Sequence, residues 1–352
     1  MASARSKKKA AVLQGRATAK EVAKMAGVSV SAVSRTYTAG ASVSPRTREK
    51  VLAAARALGY QPNALARSLM TKRTELIALI SNAFDNPLFM EIFDLFTRRL
   101  QQQGRRPLLA NLSGGARTDV ALDMLLKYSV DGVIVASSTL PPGFTEQCAA
   151  AGMPVVQAFG RPAGAHSGNI VGADNLQGGR LAGAMLRERR YRNIAFLGGP
   201  AGANSTEDRL RGFKQTLAAG GLTPCAVVYG HSYCHEAGYA MMKQLLRNGG
   251  IDAVLCGDDV LAMGAIDACR EAGVRVPQQI GIMGFNDMAM ASWSSYNLTT
   301  IRQPVADIII TAVELLLSII DRAPDRKLVR LFECHSVVRG TLRPLKGEER
   351  ES

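Results

Sequence analysis

The chain has one tryptophan, four histidines and six cysteines in 352 residues, and each scarcity excludes something. Cys148, Cys225, Cys234, Cys256, Cys269 and Cys334 never fall in a CxxC pair. They read as small buried side chains in a reducing compartment, not as a disulfide framework. No GxGxxG follows an apolar strand: the nearest match, GGPAG at 198–202, has the wrong glycine spacing and a proline without a donor N–H. No GxxxxGK followed by Ser or Thr occurs, and no Ser/His/Asp set or nucleophile elbow. Nucleotide-dependent and hydrolytic enzymes therefore find no support, and neither a catalytic group nor a cofactor is expected. His231, Cys234, His235 and Glu236 have metal-ligand types but no second ligand pair nearby, so they read as a loop and no metal is expected.

Long hydrophobic runs are missing too. The longest, IIITAVELLLSII at 308–320, contains Glu314 and falls short of the ~20 residues of a membrane span, so it reads as a core helix. The basic start SARSKKKAAVLQGR has only Ala10–Leu13 as an apolar stretch, against the ~7–15 residues of a secretory signal. The expected setting is cytoplasmic, with no membrane partner. Acidic residues are scarce in one place only. Residues 1–75 hold 15 Lys/Arg against 3 Asp/Glu, whereas the remaining chain holds 28 against 26. A basic head on a balanced body is the footprint of nucleic-acid binding, because neutralising phosphates releases counterions. A solubilising basic tail is the plainer alternative.

Residues 18–60 turn that footprint into a motif. Thr18 and Glu21 stand at capping-box spacing before a helix whose apolar side is Val22, Ala23 and Ala26. Ala23, Gly27 and Val33 have the helix-turn-helix spacing: a small residue where two helices touch, a glycine for a turn at positive φ, an aliphatic anchor on the second helix. With Ser29 as cap and Val33 inward, Val30, Ser31 and Arg35 face outward. Arg35 suits guanine or phosphate, Ser31 donates or accepts, and Val30 suits a thymine methyl. Ser44-Pro45 opens a third helix with Val51, Leu52, Ala55 and Leu58 on one face and Gly59 as its stop. Pro62 starts a short helix with Leu65 and Leu69 on one side. Such a length is marginal alone, where ~12–15 residues are needed, so ordering on DNA is expected; a linker helix packed on the body is the alternative.

In the runs AGVS, VSR, VSPRTREKV and GYQPNALARSL this segment resembles the headpiece and hinge of the LacI/GalR (lac-repressor) family, and the likeness extends over essentially the whole chain after residue 17. The resemblance implies that Val30, Ser31 and Arg35 occupy major-groove reading positions. It places Thr18, Ala32 and Ser34 among the DNA-contacting residues. It also implies that Leu69 wedges into the minor groove, with Asn63 and Ala66 beside it. Ala32 stands where Thr is usual and Thr38 where the family nearly always has Asn, which alters the phosphate contacts around the turn.

From Glu75 onward short aliphatic strands alternate with helical stretches: 76–80, 107–110, 132–136, 154–157, 169–173, 193–199, 225–230, 253–257 and 280–285. The βαβα order predicts parallel sheets flanked by helices. The pattern restarts near Asp174, which predicts two doubly wound subdomains with a cleft at the carboxyl ends of their strands. The family resemblance implies the same α/β body, of the type-I periplasmic-binding-protein kind, following an N-terminal all-α helix-turn-helix headpiece. The expected boundaries are a basic tail 1–16, headpiece 17–60, hinge and linker 61–74, body 75–345 and polar tail 346–352. Within the body, an N-subdomain of about 75–173 and 305–328 and a C-subdomain of about 174–304 and 329–345 put crossings near 173, 304 and 329.

Strand-end position and motif resemblance together nominate the cleft residues. The segment SNAFDNPLFMEI at 81–92 resembles the family's first βα loop, which implies that Phe89 stacks on an effector. Arg209 in DRLRGF matches a ligand-oxygen clamp, for which a guanidinium fork is suited. Asp258 in GDDVLAMGA and Asn286 in GFND match positions touching polar ligand groups, and Tyr233 and Phe159 complete aromatic walls. Plainer roles stay open: an ion pair for Arg209, core packing for Phe89, helix caps for Asp258 and Asn286. Ala158 stands where many sugar- and purine-binding members have Asp. The expectation is a homodimeric repressor on a pseudo-palindromic operator, controlled by a carbohydrate or sugar acid. The C-terminal GTLRPLKGEERES has no leucine heptads to build a tetramerising coil. The rival is a stand-alone sugar-binding receptor, which calls for a secretory signal in place of the basic helix-turn-helix.

Overall fold

The computed structural model describes residues 17–38, 40–61, 68, 71, 73–113, 117–137, 140, 143–162, 168–322 and 327–345. The expectations for Asn63, Ala66 and Leu69 and for the two tails lie outside them. The chain forms two compact units, Met1–Thr74 and Glu75–Ser352.

In the first unit three helices follow from their caps. Helix α1 (Ala19–Ala26) starts at a complete capping box of Thr18 and Glu21 and ends at Gly27, whose φ of 65° only glycine adopts at no cost. Ser29 caps α2 (Val30–Thr36) by accepting from the Ala32 N–H. Ser44 caps α3 (Pro45–Leu58), with proline in the first turn, where a missing N–H is harmless. Val22, Ala23, Val33, Val51, Ala54 and Ala55 bury together as the core of this unit.

The second unit has two lobes. The first lobe contains β1 (Leu76–Ser81), α4 (Pro87–Gln102), β2 (Arg106–Asn111), α5 (Thr118–Lys127), β3 (Gly132–Ala136), α6 (Phe144–Ala150), β4 (Val155–Ala158) and β5 (Asn169–Ala173). The second holds α7 (Asn175–Glu188), β6 (Ile194–Gly198), α8 (Asn204–Ala218), β7 (Ala226–Tyr229), α9 (His235–Asn248), β8 (Ala253–Cys256), α10 (Asp259–Glu271), β9 (Gly281–Asn286) and β10 (Thr300–Arg302). Helix α11 (Val305–Arg322) and β11 (Val329–Phe332) return to the first sheet, and β12 (His335–Val337) joins the second. The strand orders are β11-β5-β4-β3-β1-β2 and β12-β10-β9-β8-β6-β7. All the pairings in the first sheet are parallel; in the second, only β10–β12 is antiparallel. Inner strands β3, β6 and β8 are buried at every residue, as parallel strands covered on both faces must be.

The chain passes between lobes after Ala173, again between Arg302 and Val305, and a third time after Phe332. The third passage corrects the expected one near 329. Residues 329–332 pair in register with 170–173 of β5, so they belong to the first lobe. Strands β10, β11 and β12 were not anticipated, because three or four mixed polar and apolar residues give no periodic signal.

Helices α7 and α8 touch backbone to backbone. A Cβ on Gly179 would lie 2.1 Å from the Arg209 carbonyl oxygen, and one on Gly212 2.0 Å from that of Leu176. Neither atom is the end of a flexible side chain, so any larger residue forces the helices apart. We expect Gly179→Ala to cost about 1–3 kcal/mol in denaturant unfolding, as overpacked sites do, and to shift Arg209 with it. An unchanged midpoint would mean that the two helices separate freely.

Candidate nucleic-acid interface and effector cleft

On the first unit, α2 shows a consistent outer face. Val33 is fully buried, while Val30, Ser31 and Arg35 are exposed and Ala32 and Ser34 half-buried. The Arg35 Nε reaches the Ser31 carbonyl at 3.4 Å, a weak contact that leaves the fork facing outward. Thr18 is spent on its capping box, its hydroxyl and N–H both engaging Glu21, yet the residue is exposed. Thr38 donates to the Ser34 carbonyl at 3.0 Å, closing the end of α2 on itself. An exposed helix face with Val30 and Ser31 in its first turn and Arg35 in its last suits the edges of base pairs.

In the second unit Phe89, Phe159, Arg209, Tyr233, Asp258 and Asn286 line one cleft between the lobes. Arg209, buried on α8, donates from Nε to Asn175 Oδ1 at 2.8 Å, from Nη1 to the Gly257 carbonyl, and from Nη2 to Asn286 Oδ1 at 3.2 Å. Its guanidinium carbon also lies 3.8 Å from the Phe285 ring centre. Asp258 caps α10 through Oδ1, which accepts the Val260 N–H at 2.9 Å, and turns Oδ2 into the cleft. There it accepts from Asn86 Nδ2 of the first lobe at 3.0 Å and from Asn286 Nδ2 at 2.8 Å. One carboxylate thus both caps α10 and lines the cleft. Asn286 is no cap: it ends β9 at φ 116°, and Gln303 donates to its Oδ1. Tyr233 hydroxyl lies 2.8 Å from Ser205 Oγ and 2.5 Å from Thr206 Oγ1. Phe159 holds φ 61° with its N–H on the Val171 carbonyl, and Phe89 leans on Phe93 at 6.2 Å between ring centres.

Asn86, Ser137, Asn175, Ser205 and Gln303 join the lining without having been singled out. Asn86 had a signal, an Asn before Pro at a helix start, but one that suggests only a cap. The side chains close on one another and leave a cavity of about 50 Å³. Among the described residues no three His, Cys, Asp or Glu side chains converge as metal ligands; His235 Nε2 sits 2.9 Å from Asp267. No helix of the described residues is long and apolar enough to cross a membrane.

Burial pushes the Asp258 carboxyl up to about 6, against the pull of the Val260 N–H and the Arg209 charge. Its neighbour Asp259 is pushed to about 7, first by burial and further by the charge of Asp258, although the Thr300 hydroxyl and the Met288 N–H bond to it.

A helix-turn-helix unit joined to a two-lobed α/β unit with a polar, aromatic-walled cleft defines a ligand-responsive DNA-binding regulator. Residues 18–63 match the pattern of bacterial regulatory proteins of the lacI family, and residues 184–342 that of a periplasmic binding protein-like domain. The HTH-type transcriptional repressor PurR of Photorhabdus laumondii subsp. laumondii is 36% identical over 337 residues, 92% of this chain and 98% of that protein. The lac repressor dimer bound to operator and the anti-inducer ONPF superposes with a TM-score of 0.84 at 28% identity, covering 94% of this chain and all of that one. The transcriptional regulator CelR–cellobiose complex gives 0.71 at 29% identity, with 93% and 100% covered. The chain belongs to the LacI family of bacterial regulatory proteins: it is a DNA-binding transcriptional regulator with an effector-binding body, not an enzyme.

The raised Asp259 carboxyl carries a consequence for stability. Between its folded value of about 7 and the free value of 3.8 the native state holds a proton that the unfolded chain has released. Stability therefore rises as pH falls through that window, by the sign of proton linkage. Asp259→Asn is expected to flatten that rise in urea unfolding measured across the window. A variant whose slope matches the parent's would assign the proton elsewhere.

Proposed function

We propose that two copies of this chain pair on a pseudo-palindromic operator as a repressor. One α2 helix enters each major groove, and a small polar molecule in the cleft governs the affinity. In this reading Val30, Ser31 and Arg35 read bases, and Thr18, Ala32 and Ser34 lie along the backbone. Asn63, Ala66 and Leu69 form the hinge that kinks the minor groove. Pairing is supported by exposed apolar side chains on one lobe: Met90 on α4, Leu109 on β2, and Val120 and Leu126 on α5. The protein acts where its operator is, in the cytoplasm.

The observation that carries the effector reading is the convergence of Arg209, Asn286, Asp258 and Asn86 between aromatic rings. Amide, carboxylate and guanidinium groups alternate as donors and acceptors, which matches the vicinal hydroxyls of a carbohydrate, or its carboxylate in a sugar acid. The faces of Phe89 and Phe159 suit the C–H faces of such rings. Effector binding biases one arrangement of the lobes, and reciprocal linkage makes operator and effector alter each other's affinity.

A thermal-shift screen of sugars, sugar acids and nucleobases on the full chain tests this, since a true ligand adds about 2.7 kcal/mol at 100 times its dissociation constant. A nucleobase as the stabilising compound would overturn the carbohydrate assignment. Arg209→Ala is expected to abolish the response to the compound so found and to spare DNA binding without it. Unchanged affinity by calorimetry would remove Arg209 from the site. For the head, Arg35→Ala should relax base preference at one position of each half-site by about 1–3 kcal/mol. Selection from random DNA reads this directly, and an intact consensus would exclude α2 as the reading helix.

A further inference from the structure

Phe89 and Phe159 both come from the first lobe and both face the cleft. Two residues beyond each stands a charged side chain that crosses to the second lobe. Glu91 Oε1 accepts the Ala289 N–H at 3.0 Å. Arg161 forks onto successive carboxylates of α8, with Nη1 on Asp208 Oδ1 at 2.7 Å and Nη2 on Glu207 Oε2 at 3.0 Å. Those acids directly precede Arg209, so the ion pair and the effector clamp share one helical turn.

The segment that presents Arg161 has little freedom. Phe159 sits at φ 61° with its N–H fixed on Val171, and a Cβ on Gly172 would lie 2.5 Å from the Gly160 carbonyl oxygen. A pre-set arm loses little entropy when it engages. Asp208 is buried and also held by Arg211 at 2.7 Å, so it keeps a cation when Arg161 leaves. The pair is therefore reversible. The cavity of about 50 Å³ is far smaller than a typical ligand pocket of ~300–1,000 Å³, so the lobes must part for any such molecule to enter.

We propose that Arg161 and Glu91 are two arms of one cross-lobe clasp, and that the Arg161 ion pair makes opening of the cleft depend on ionic strength. The Arg161 guanidinium and Glu207 are partly exposed, at 31% and 46%, so salt reaches that bond, while the bond to buried Asp208 is screened less. The screening length falls from ~10 Å at 0.1 M to ~3 Å at 1 M, which loosens this arm and leaves the neutral Ala289 N–H to Glu91 bond less affected. The regulatory consequence rests on reading the cleft as the effector site; the clasp itself is measured with no small molecule present.

Hydrogen exchange on the full-length protein, followed at residues 286–292 in low and high sodium chloride, tests it. That segment holds Ala289 and lies far in sequence from Arg161. Arg161→Ala is expected to raise its exchange about 2- to 5-fold at low salt, the range of a partly exposed ion pair. High salt should move the parent towards the variant's level and leave the variant unmoved. Arg98→Ala, which breaks a pair within α4 only, should change nothing at 286–292. Should Arg161→Ala fail to fold, Arg161→Lys keeps the charge without the fork, and intermediate exchange is expected. Exchange that changes only around 158–162 and 204–211, or a parent indifferent to salt, overturns the clasp. A clasp that behaves as expected in a protein stabilised by no screened compound would leave the clasp standing and remove the effector reading.

Discussion

One buried oxygen, Asp258 Oδ2, receives an amide N–H from each lobe: Asn86 of the first and Asn286 of the second. Burial disfavours its charge, and the bound amides, the Val260 N–H and Arg209 offset that penalty. The other cleft contacts hang on this atom. Asn286 is turned by it, Arg209 is aimed at Asn286, and Asn86 brings the start of α4, with Phe89, against the second lobe. In the proposed effector reading, a molecule entering the cleft exchanges these hydrogen bonds for its own. Each exchange is worth only about 0.5–1.5 kcal/mol net, so selectivity comes from matching several positions at once.

Around that atom the rigidity comes from close approach. The glycine contacts of α7 and α8 set the height of Arg209 against Asn175, which itself lies in the first turn of α7. The same device recurs in α9 and α10, where a Cβ on Gly238 or Gly264 would lie 2.1 Å from a carbonyl oxygen of the partner helix. Such close approaches hold the helix that carries Arg209 in fixed register.

Two consecutive residues in the left-handed region stand where the cleft meets a crossing. Asn286 and Asp287 hold consecutive positive φ values of 116° and 58°. Arg302 and Arg339 grip Asp287 at 2.5 and 2.7 Å, and Gln303 bonds to Asn286. Arg302 ends β10 and Gln303 begins the passage back to the first lobe. Backbone held away from its preferred regions persists only where neighbours over-determine it. A change at Asn286 therefore reaches the crossing directly.

The sequence by itself determined what short-range physics controls. A capping box, single serine caps, a glycine at positive φ and 3.6-residue periodicity act within a few residues, so the three helices of the first unit were legible from Thr18 to Gly59. Leu52, however, read onto the apolar face of α3, is exposed, and Ala54 is buried there. Nine aliphatic runs were legible as strands: seven are inner parallel strands, apolar on both faces, and two, β2 and β7, are edge strands that keep aliphatic residues although they are more exposed. Resemblance in strand-end motifs nominated Phe89, Phe159, Arg209, Tyr233, Asp258 and Asn286, which the fold brings to one cleft. Tertiary structure alone decided the rest. Strands β10 to β12 exist only because neighbours supply their hydrogen bonds, and the register of 329–332 on 170–173 moved the last crossing. Asn86, Gln303 and Arg161 resemble ordinary caps and surface polar groups in sequence. Their partners are set by loops converging from distant strands; Asn86 and Asp258 stand 172 residues apart. No local periodicity encodes a contact of that separation.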